Sequence, residues 1–406
     1  MKSGVTGYLD RINEILPKYF SRKEISGVIE KVHQLIAEEN KHKKQNEITE
    51  LSLSNINFVT LVDLSVTSAV KKLGKPEYID FLFEIGQVTI TAGEFMLAVN
   101  IYNEILQQTK DDRKYQNVYA NALLRLGEIF SLQAQWKQSF SYLRKAILSF
   151  RKQKNYLGSA RCENMAGTIY GDLGQLTKAK NHFEKALGYL DKESGDYFRA
   201  SVEVNLGIIC TIINDYDNAY SYLNRSLNFY RKSGNKKRLA EISHNLGMIL
   251  LKKKMYSQAL EEFNHCIEYS IEAGYLQALE IAYTGKALLY TKLKDYSYAQ
   301  TFADNALKIC CKINDRLSVA DIYKIKGIIN RQLKKYSISE NYFLTSLRLN
   351  QELKNKLNEA ETNFELALLY KETQKDEESK KLLMKSLRYF RKIKAVEEVK
   401  NIEELL

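Results

Sequence analysis

Small side chains return along this chain at a fixed interval, set among apolar ones. Gly127, Gly167, Gly207, Gly247, Ala287, Gly327 and Ala367 stand 40 residues apart without an insertion or deletion. Seven residues before this column stand Ala120, Ala160, Ala200, Ala240, Ala320 and Ala360, with Glu280 as the one break. Twelve residues after it come Ser139, Ala179, Ala219, Ala259, Ala299, Ser339 and Ser379. Nineteen after it come Ala146, Ala186, Ser226, Cys266, Ala306, Ser346 and Ser386. Seven residues make two turns of α-helix, so the first two columns share a face of one helix and the last two share a face of a second. Each period is therefore a helical hairpin, and an unbroken period of this length means stacked hairpins. An earlier copy fits at Gly86, Ala98 and Ile105, offset by 41 residues, which makes eight units over residues 76–394.

Bulky side chains between the small ones fill the grooves that close helix approach leaves: Trp136, Tyr216, Tyr256, Tyr296 and Tyr336, then Leu143, Phe183, Leu223, Phe263, Phe343 and Leu383. Asn155, Gly195, Gly234, Gly274, Asn314 and Asn355 recur between hairpins. These residues tolerate positive φ and are the expected stop of each second helix. Within the hairpins the turns are polar, and Asp215 and Asp295 stand where an N-cap would start the second helix.

These residues carry a resemblance. The order of leucine, glycine, a large residue, then alanine, phenylalanine and alanine, read in Leu126-Gly127 with Phe130 and in Gly167, Tyr170, Ala179, Phe183 and Ala186, resembles the tetratricopeptide repeat (TPR). Two departures are visible: the family's usual proline near the end of the second helix is absent, and the period exceeds the common one. The longer period is similar to the subgroup found in kinesin light chains, Pins-type adaptors and Rap-type bacterial peptide receptors. The resemblance implies an all-α, right-handed superhelical solenoid of about eight hairpins, whose concave surface is lined mainly by the first helices.

Residues 1–75 lie outside the period and read as an N-terminal helical cap or a separate effector bundle. Ser21 with Glu24 forms a capping box, and Ile25, Val28, Ile29, Val32 and Ile36 make a helical stripe over about 22–43. An earlier helix is expected from Tyr8 to Phe20, with Pro17 ending it early, and a third from about Asn57 to Leu73. Lys41 to Asn46 is the most linker-like stretch, and Lys75-Pro76 opens the first repeat. At the other end, Val396, Val399, Ile402, Leu405 and Leu406 predict a C-terminal capping helix over 395–406.

Composition adds exclusions more than assignments. Two prolines in 406 residues suit close-packed helices. The absence of a long apolar run or a secretory leader reads as a cytoplasmic chain with no membrane partner. The five cysteines, Cys162, Cys210, Cys266, Cys310 and Cys311, lack metal-ligand spacing and read as structural thiols, and no two of the five histidines stand at i, i+4. No metal and no cofactor are expected. Neither a phosphate-cradling loop nor a nucleophile elbow occurs, so the chain reads as non-enzymatic. The net charge of +12 comes from lysines interleaved with glutamates, which is the pattern of a solvated face. It favours an acidic protein partner and gives no reason to expect nucleic acid.

Function then falls to the side chains that packing leaves free. In the resemblance, the exposed positions of the first helices carry Asn121 and Arg125, then Arg161 and Asn164, then Asn205, then His244 and Asn245, and later Lys324 and Arg331. An asparagine tip both donates and accepts, so a line of Asn121, Asn164, Asn205 and Asn245 suits the backbone of an extended peptide, and Arg125 and Arg161 suit a carboxylate. The Asn-Leu-Gly triplets at 205–207 and 245–247 resemble those of long-repeat peptide binders, where this asparagine holds the ligand backbone; Asn121 and Asn164 are off that register. The competing reading is a polar face that only carries solvent. The expected function is an adaptor that binds another protein or a peptide in the concave groove. The alternatives are a Rap-like regulatory receptor with the N-terminal helices as effector, and a scaffold that self-associates through an uncapped edge.

Overall fold

The structure, a computed structural model, describes residues 2–42, 50–192, 195–313, 315–393 and 395–406. Every regular element among them is helical. Three helices come first: α1 (Lys2–Tyr19), α2 (Arg22–His42) and α3 (Glu50–Lys72). Eight hairpins follow among the described residues. They pair α4 (Lys75–Thr91) with α5 (Phe95–Thr109), α6 (Gln116–Leu132) with α7 (Trp136–Lys152), α8 (Tyr156–Asp172) with α9 (Leu176–Leu190), and α10 (Asp196–Ile212) with α11 (Tyr216–Ser233). The rest are α12 (Lys236–Lys252) with α13 (Tyr256–Glu272), α14 (Leu276–Lys292) with α15 (Tyr296–Ile313), α16 (Arg316–Gln332) with α17 (Tyr336–Glu352), and α18 (Lys356–Glu372) with α19 (Asp376–Ile393). A short helix, α20 (Val396–Glu403), follows the last pair. The array is thus an all-α solenoid, as the period implies.

The small columns work as contact points between the two helices of a hairpin. A Cβ added at Gly207 would lie 2.6 Å from Leu223, and one at Gly327 2.6 Å from Phe343, so only a missing side chain lets the bulky residue of the second helix in. Where a small residue is serine, its hydroxyl bridges to a backbone carbonyl of the facing helix. Ser139, Ser339 and Ser379 donate to Gly127, Gly327 and Ala367 at 2.6, 2.8 and 2.8 Å. Ser226, Ser346 and Ser386 donate to Ala200, Ala320 and Ala360 at 2.9, 2.7 and 2.7 Å. The break in the alanine column, Glu280, is fully buried, and it faces Cys310 where other repeats carry Phe150, Leu190 or Tyr230. Thr284 donates to the Glu280 carboxyl at 2.9 Å, and burial pushes its pKa above the carboxylate range.

Turn geometry corrects several expectations. Positive φ recurs inside the hairpins at Ala134, Gly174, Asn214, Lys254, Lys294, Lys334 and Gln374, whatever the side chain. The amide one residue on reaches back five residues, as from Gln175 to Tyr170 and from Lys335 to Asn330, both 2.8 Å, closing a Schellman-type end. Between hairpins, Gly234 and Gly274 have positive φ as expected, but at Asn155 and Asn355 it falls one residue earlier, on Lys154 and Lys354. The asparagines instead cap the next helix, accepting from the amides of Gly158 and Asn358 at 2.7 and 3.2 Å. Gly195 has a negative φ, −149°, and is the N-cap of α10, while Asn314 lies outside the described residues. Asp295 caps the amide of Tyr298 at 3.3 Å, whereas Asp215 makes no cap bond and accepts from Lys180 and the Asn218 side chain. Pro17 does not end α1 early. It sits in the last turn, where its missing N–H costs one bond, and Phe20 still closes on Leu16 at 2.9 Å. The third helix starts at Glu50, ahead of its apolar stripe, because no glycine or proline intervenes. The linker-like stretch lies outside the described residues from position 43 on.

The helices form two compact units, Met1–Ala166 and Gly167–Leu406. In the first, Ile12 and Leu16 of α1 and Phe20 just after it share one core with Phe58 and Val62 of α3 and Phe81, Leu82 and Ile85 of α4. Tyr19 and Phe20 meet Phe81 edge-on at 5.3 and 5.6 Å. The capping box forms, with the Ser21 amide donating to Glu24 at 2.7 Å, and Lys72 of α3 reaches the same carboxylate at 2.6 Å. The second unit holds the hairpins from α9 to α19 together with α20.

Candidate functional site

Within the second unit the first helices of successive hairpins touch directly, α10 with α12, α12 with α14, α14 with α16 and α16 with α18. Helices on the inside of a curved stack are crowded in this way, so their outward-pointing positions form the inner wall. The small columns turn the opposite side of each first helix toward its partner, which leaves the remaining polar positions for this wall.

The sequence-predicted residues divide between the units. In the first, Asn121 donates to the Asn117 carbonyl of its own helix at 2.8 Å, and Arg125 pairs with Glu128 at 2.7 Å. Arg161 is exposed and Asn164 half-buried on α8. In the second, Asn205 and Asn245 are both half-buried at matching positions of α10 and α12, and among the described residues Asn245 makes no side-chain hydrogen bond. His244, beside it, has its Nδ1 enclosed without a partner among the described residues, and burial lowers its pKa to about 4.

Lys324 and Arg331 are engaged by neighbouring first helices. The Lys324 ammonium, 11% exposed, pairs with Asp321 at 3.1 Å and with Glu361 of α18. Burial pushes the Glu361 carboxyl up, but the charge and hydrogen bond of Lys324 outweigh it and hold the group below the usual range. Arg331, 6% exposed, donates to Glu365 at 2.9 Å and lies 3.7 Å from Glu372, and its Nη1 has no hydrogen-bond partner among the described residues. Asn358 donates to Asp321 at 3.0 Å in the same layer. The wall is therefore a ladder of charges tying α16 to α18. The sequence pattern marks the cations but not their partners, although the opposite charges one period on, 34 to 37 residues away, are the available signal.

Other chemistry-bearing groups have packing roles. Lys326 pairs with Asp304, and Lys286 donates to Asn264 at 3.0 Å while lying 4.4 Å over Phe302. Four cysteines are buried, Cys311 is exposed, and all five are free thiols. Among the described residues no cluster of three or more His, Cys, Asp or Glu side chains is arranged to hold a metal ion, and no helix is long and apolar enough to cross a membrane.

The geometry agrees with known proteins at the level of the repeat. A tetratricopeptide repeat model matches residues 118–192 and 198–272, and a second tetratricopeptide repeat model matches residues 360–392. No curated protein matches the chain in sequence. Among solved structures, the apo form of RapI is similar over 68% of this chain and 99% of its own, with a TM-score of 0.57 at 18% identity. Aspartyl phosphate phosphatase F from Bacillus subtilis is similar over 93% of this chain and 96% of its own, with a TM-score of 0.59 at 13% identity. The Rap conjugation gene regulator of the plasmid pLS20, in complex with the Phr* peptide, is similar over 84% of this chain and 96% of its own, with a TM-score of 0.57 at 15% identity. The chain carries tetratricopeptide repeats in an all-α solenoid that shares its fold with Rap proteins.

Proposed function

We propose that this chain is a non-enzymatic adaptor that binds a peptide, or an extended segment of another protein, along the inner faces of its first helices. What supports the reading is Asn245, half-buried on the first helix α12, which makes no side-chain hydrogen bond among the described residues and lies one period from Asn205 at the matching position of α10. An asparagine tip there donates to and accepts from a ligand backbone without regard to its side chains. Arg161 offers an exposed cation. Arg125, Lys324 and Arg331 already hold carboxylates, so an acidic partner competes with Glu128, Glu361 and Glu365 for them, which favours acidic segments over neutral ones. The pLS20 regulator, similar in fold, was solved with a peptide.

The test is selection of binders from a random peptide library on the wild-type chain, followed by titration of the Asn205→Ala, Asn245→Ala double variant. Losing the backbone pairs of two asparagines is expected to weaken selected peptides at least tenfold, since each bond contributes about 1 kcal/mol. Peptides that bind the double variant as tightly as the wild type would remove the groove from consideration.

A second reading, a regulatory receptor of the Rap kind, is favoured by the likeness in fold to phosphatase F over 93% of this chain. It requires α1–α3 to respond to the peptide. Hydrogen exchange over residues 2–72 during the same titration separates the two readings: unchanged protection fits a fixed cap, and altered protection fits an effector.

A further inference from the structure

In a stacked array each repeat ordinarily touches only its neighbours. The second unit departs from this. The Asn214 side-chain Nδ2, in the α10–α11 turn, donates to Glu398 of α20 at 2.8 Å across 184 residues of chain. Tyr216 Oη reaches Glu397 at 3.5 Å, and Lys252, at the end of α12, lies 3.9 Å from Glu398. Alongside, the α8–α9 turn approaches the end of α19, where a Cβ on Gly174 would lie 3.8 Å from the Tyr389 hydroxyl and 3.9 Å from Ile393. That approach borders a cavity of about 300 Å³ lined by Asp172, Ile212, Lys354, Tyr389 and Lys392 among others. Repeats three to five thus meet the far end of repeat eight along a seam.

The two ends of α20 are held differently. Its C-terminal half is anchored on the last hairpin: Ile402 is buried, Lys371 donates to the Leu405 carbonyl at 3.0 Å, and Arg391 pairs with Glu403. Its first turn makes the seam contacts instead, which are polar and partly exposed. Lys252 and Glu398 keep 53% and 26% of their side-chain surface. Contacts of that kind contribute little each and weaken in salt, so the seam parts more easily than the apolar contacts between the helices of a hairpin.

We propose that the acidic first turn of α20, Glu397 and Glu398, is a latch that closes the second unit on itself by seating on Asn214, Tyr216 and Lys252, and that its release opens the inner wall. The latch regulates the peptide site and in that respect rests on the groove reading, but its existence is measured on the free protein. Closed, the unit admits only a narrow chain along the inner wall; open, it admits a bulkier segment. Any partner that brings its own pair of carboxylates to Lys252 and Asn214 competes with α20 for the latch.

The experiment compares wild-type protein with Glu397→Gln, Glu398→Gln, which keeps the shape and the buried Ile402 anchor. Amide exchange is followed over Ile213–Tyr216 and the first turn of α20, and the radius of gyration is read by small-angle scattering. The variant is expected to exchange at least fivefold faster at both places and to be measurably larger, with α14–α17 unchanged. Wild-type protein is expected to move the same way when salt is raised to about 1 M, where screening acts within about 3 Å. Lys252→Glu is expected to open the unit, and adding Glu398→Lys to close it again. Equal dimensions and exchange in the glutamine variant and wild type overturn the latch, as does a charge swap no more closed than Lys252→Glu alone. Failure of the groove reading looks different: the latch responds as stated, while peptide affinity ignores Asn205→Ala, Asn245→Ala.

Discussion

His244 stands on α12 with one ring nitrogen sealed off and no partner for it among the described residues, and this places a pH limit on the repeat that carries it. Burial lowers its pKa to about 4, whereas an unfolded chain titrates near the ordinary histidine value of 6.5. The folded state therefore prefers the neutral ring. The associated stability is fully present above pH 6.5 and is lost as pH falls toward 4. Each tenfold difference in proton affinity between the folded and unfolded states corresponds to about 1.4 kcal/mol, so the loss amounts to up to about 3 kcal/mol. Thermal unfolding at pH 7.5 and 4.5 checks this: wild type should lose more stability over that interval than His244→Leu, and equal losses would mean the histidine is not the source. At this scale helical period alone assigns a residue to a face, which is why the polar side of each first helix is legible in the sequence. The pairing of Lys324 and Arg331 is not, because it depends on how neighbouring first helices lie side by side. Glu280 appears in the sequence only as a broken alanine column; its match to Cys310 follows only once two columns are seen to face each other.

The same division holds for whole elements. Hairpin number, helix order and the position of the tight contacts are legible, because small residues at fixed spacing leave few ways to pack. Turn conformation is not legible from residue type, since the left-handed position inside the hairpin is held by alanine, lysine, asparagine and glutamine as well as glycine. Geometry imposed by the two flanking helices overrides residue preference there. The packing rule is strictest in repeat five. A Cβ on Gly247 would lie 2.7 Å from the Phe263 ring, and the same ring atoms are held as closely by the next first helix, where a Cβ on Gly285 would lie 2.4 Å away. Gly247→Ala is expected to cost about 1–3 kcal/mol. In repeat eight the corresponding pair is Ala367 with Leu383, so adding Phe263→Leu to Gly247→Ala should recover part of the loss. Chemical denaturation of the two variants measures both effects. An unaltered midpoint for Gly247→Ala would show that the ring has room to move.

At the scale of the molecule, curvature accumulates from repeat to repeat within the second unit, and no local pattern encodes where a late repeat will meet an early one. The contact between Asn214 and Glu398 therefore lies beyond what the sequence pattern carries, although the pattern does predict a capping role for residues 395–406. That role has its own test. Ile402 and Ala395 are each 1% exposed, and α20 packs on α19, whose Phe390 and Ile393 are 4% and 5% exposed. Removing residues 394–406 uncovers that surface while leaving every hairpin whole. Burial of one large apolar side chain contributes about 1.5–3 kcal/mol, and the newly exposed ends of α18 and α19 add to it. The truncated chain is therefore expected to be about 2–4 kcal/mol less stable and to associate as concentration rises, because an uncovered repeat edge offers the next chain the surface α20 covered. Sedimentation velocity over a concentration series measures the association. Glu397→Gln, Glu398→Gln serves as the control, since it keeps Ile402 in place and should sediment with the same association state as the wild type even if it is larger. Association in both variants would assign the effect to the latch; association in neither, with unchanged stability of the truncated chain, would mean that α20 is not a cap and that the last hairpin closes the array by itself.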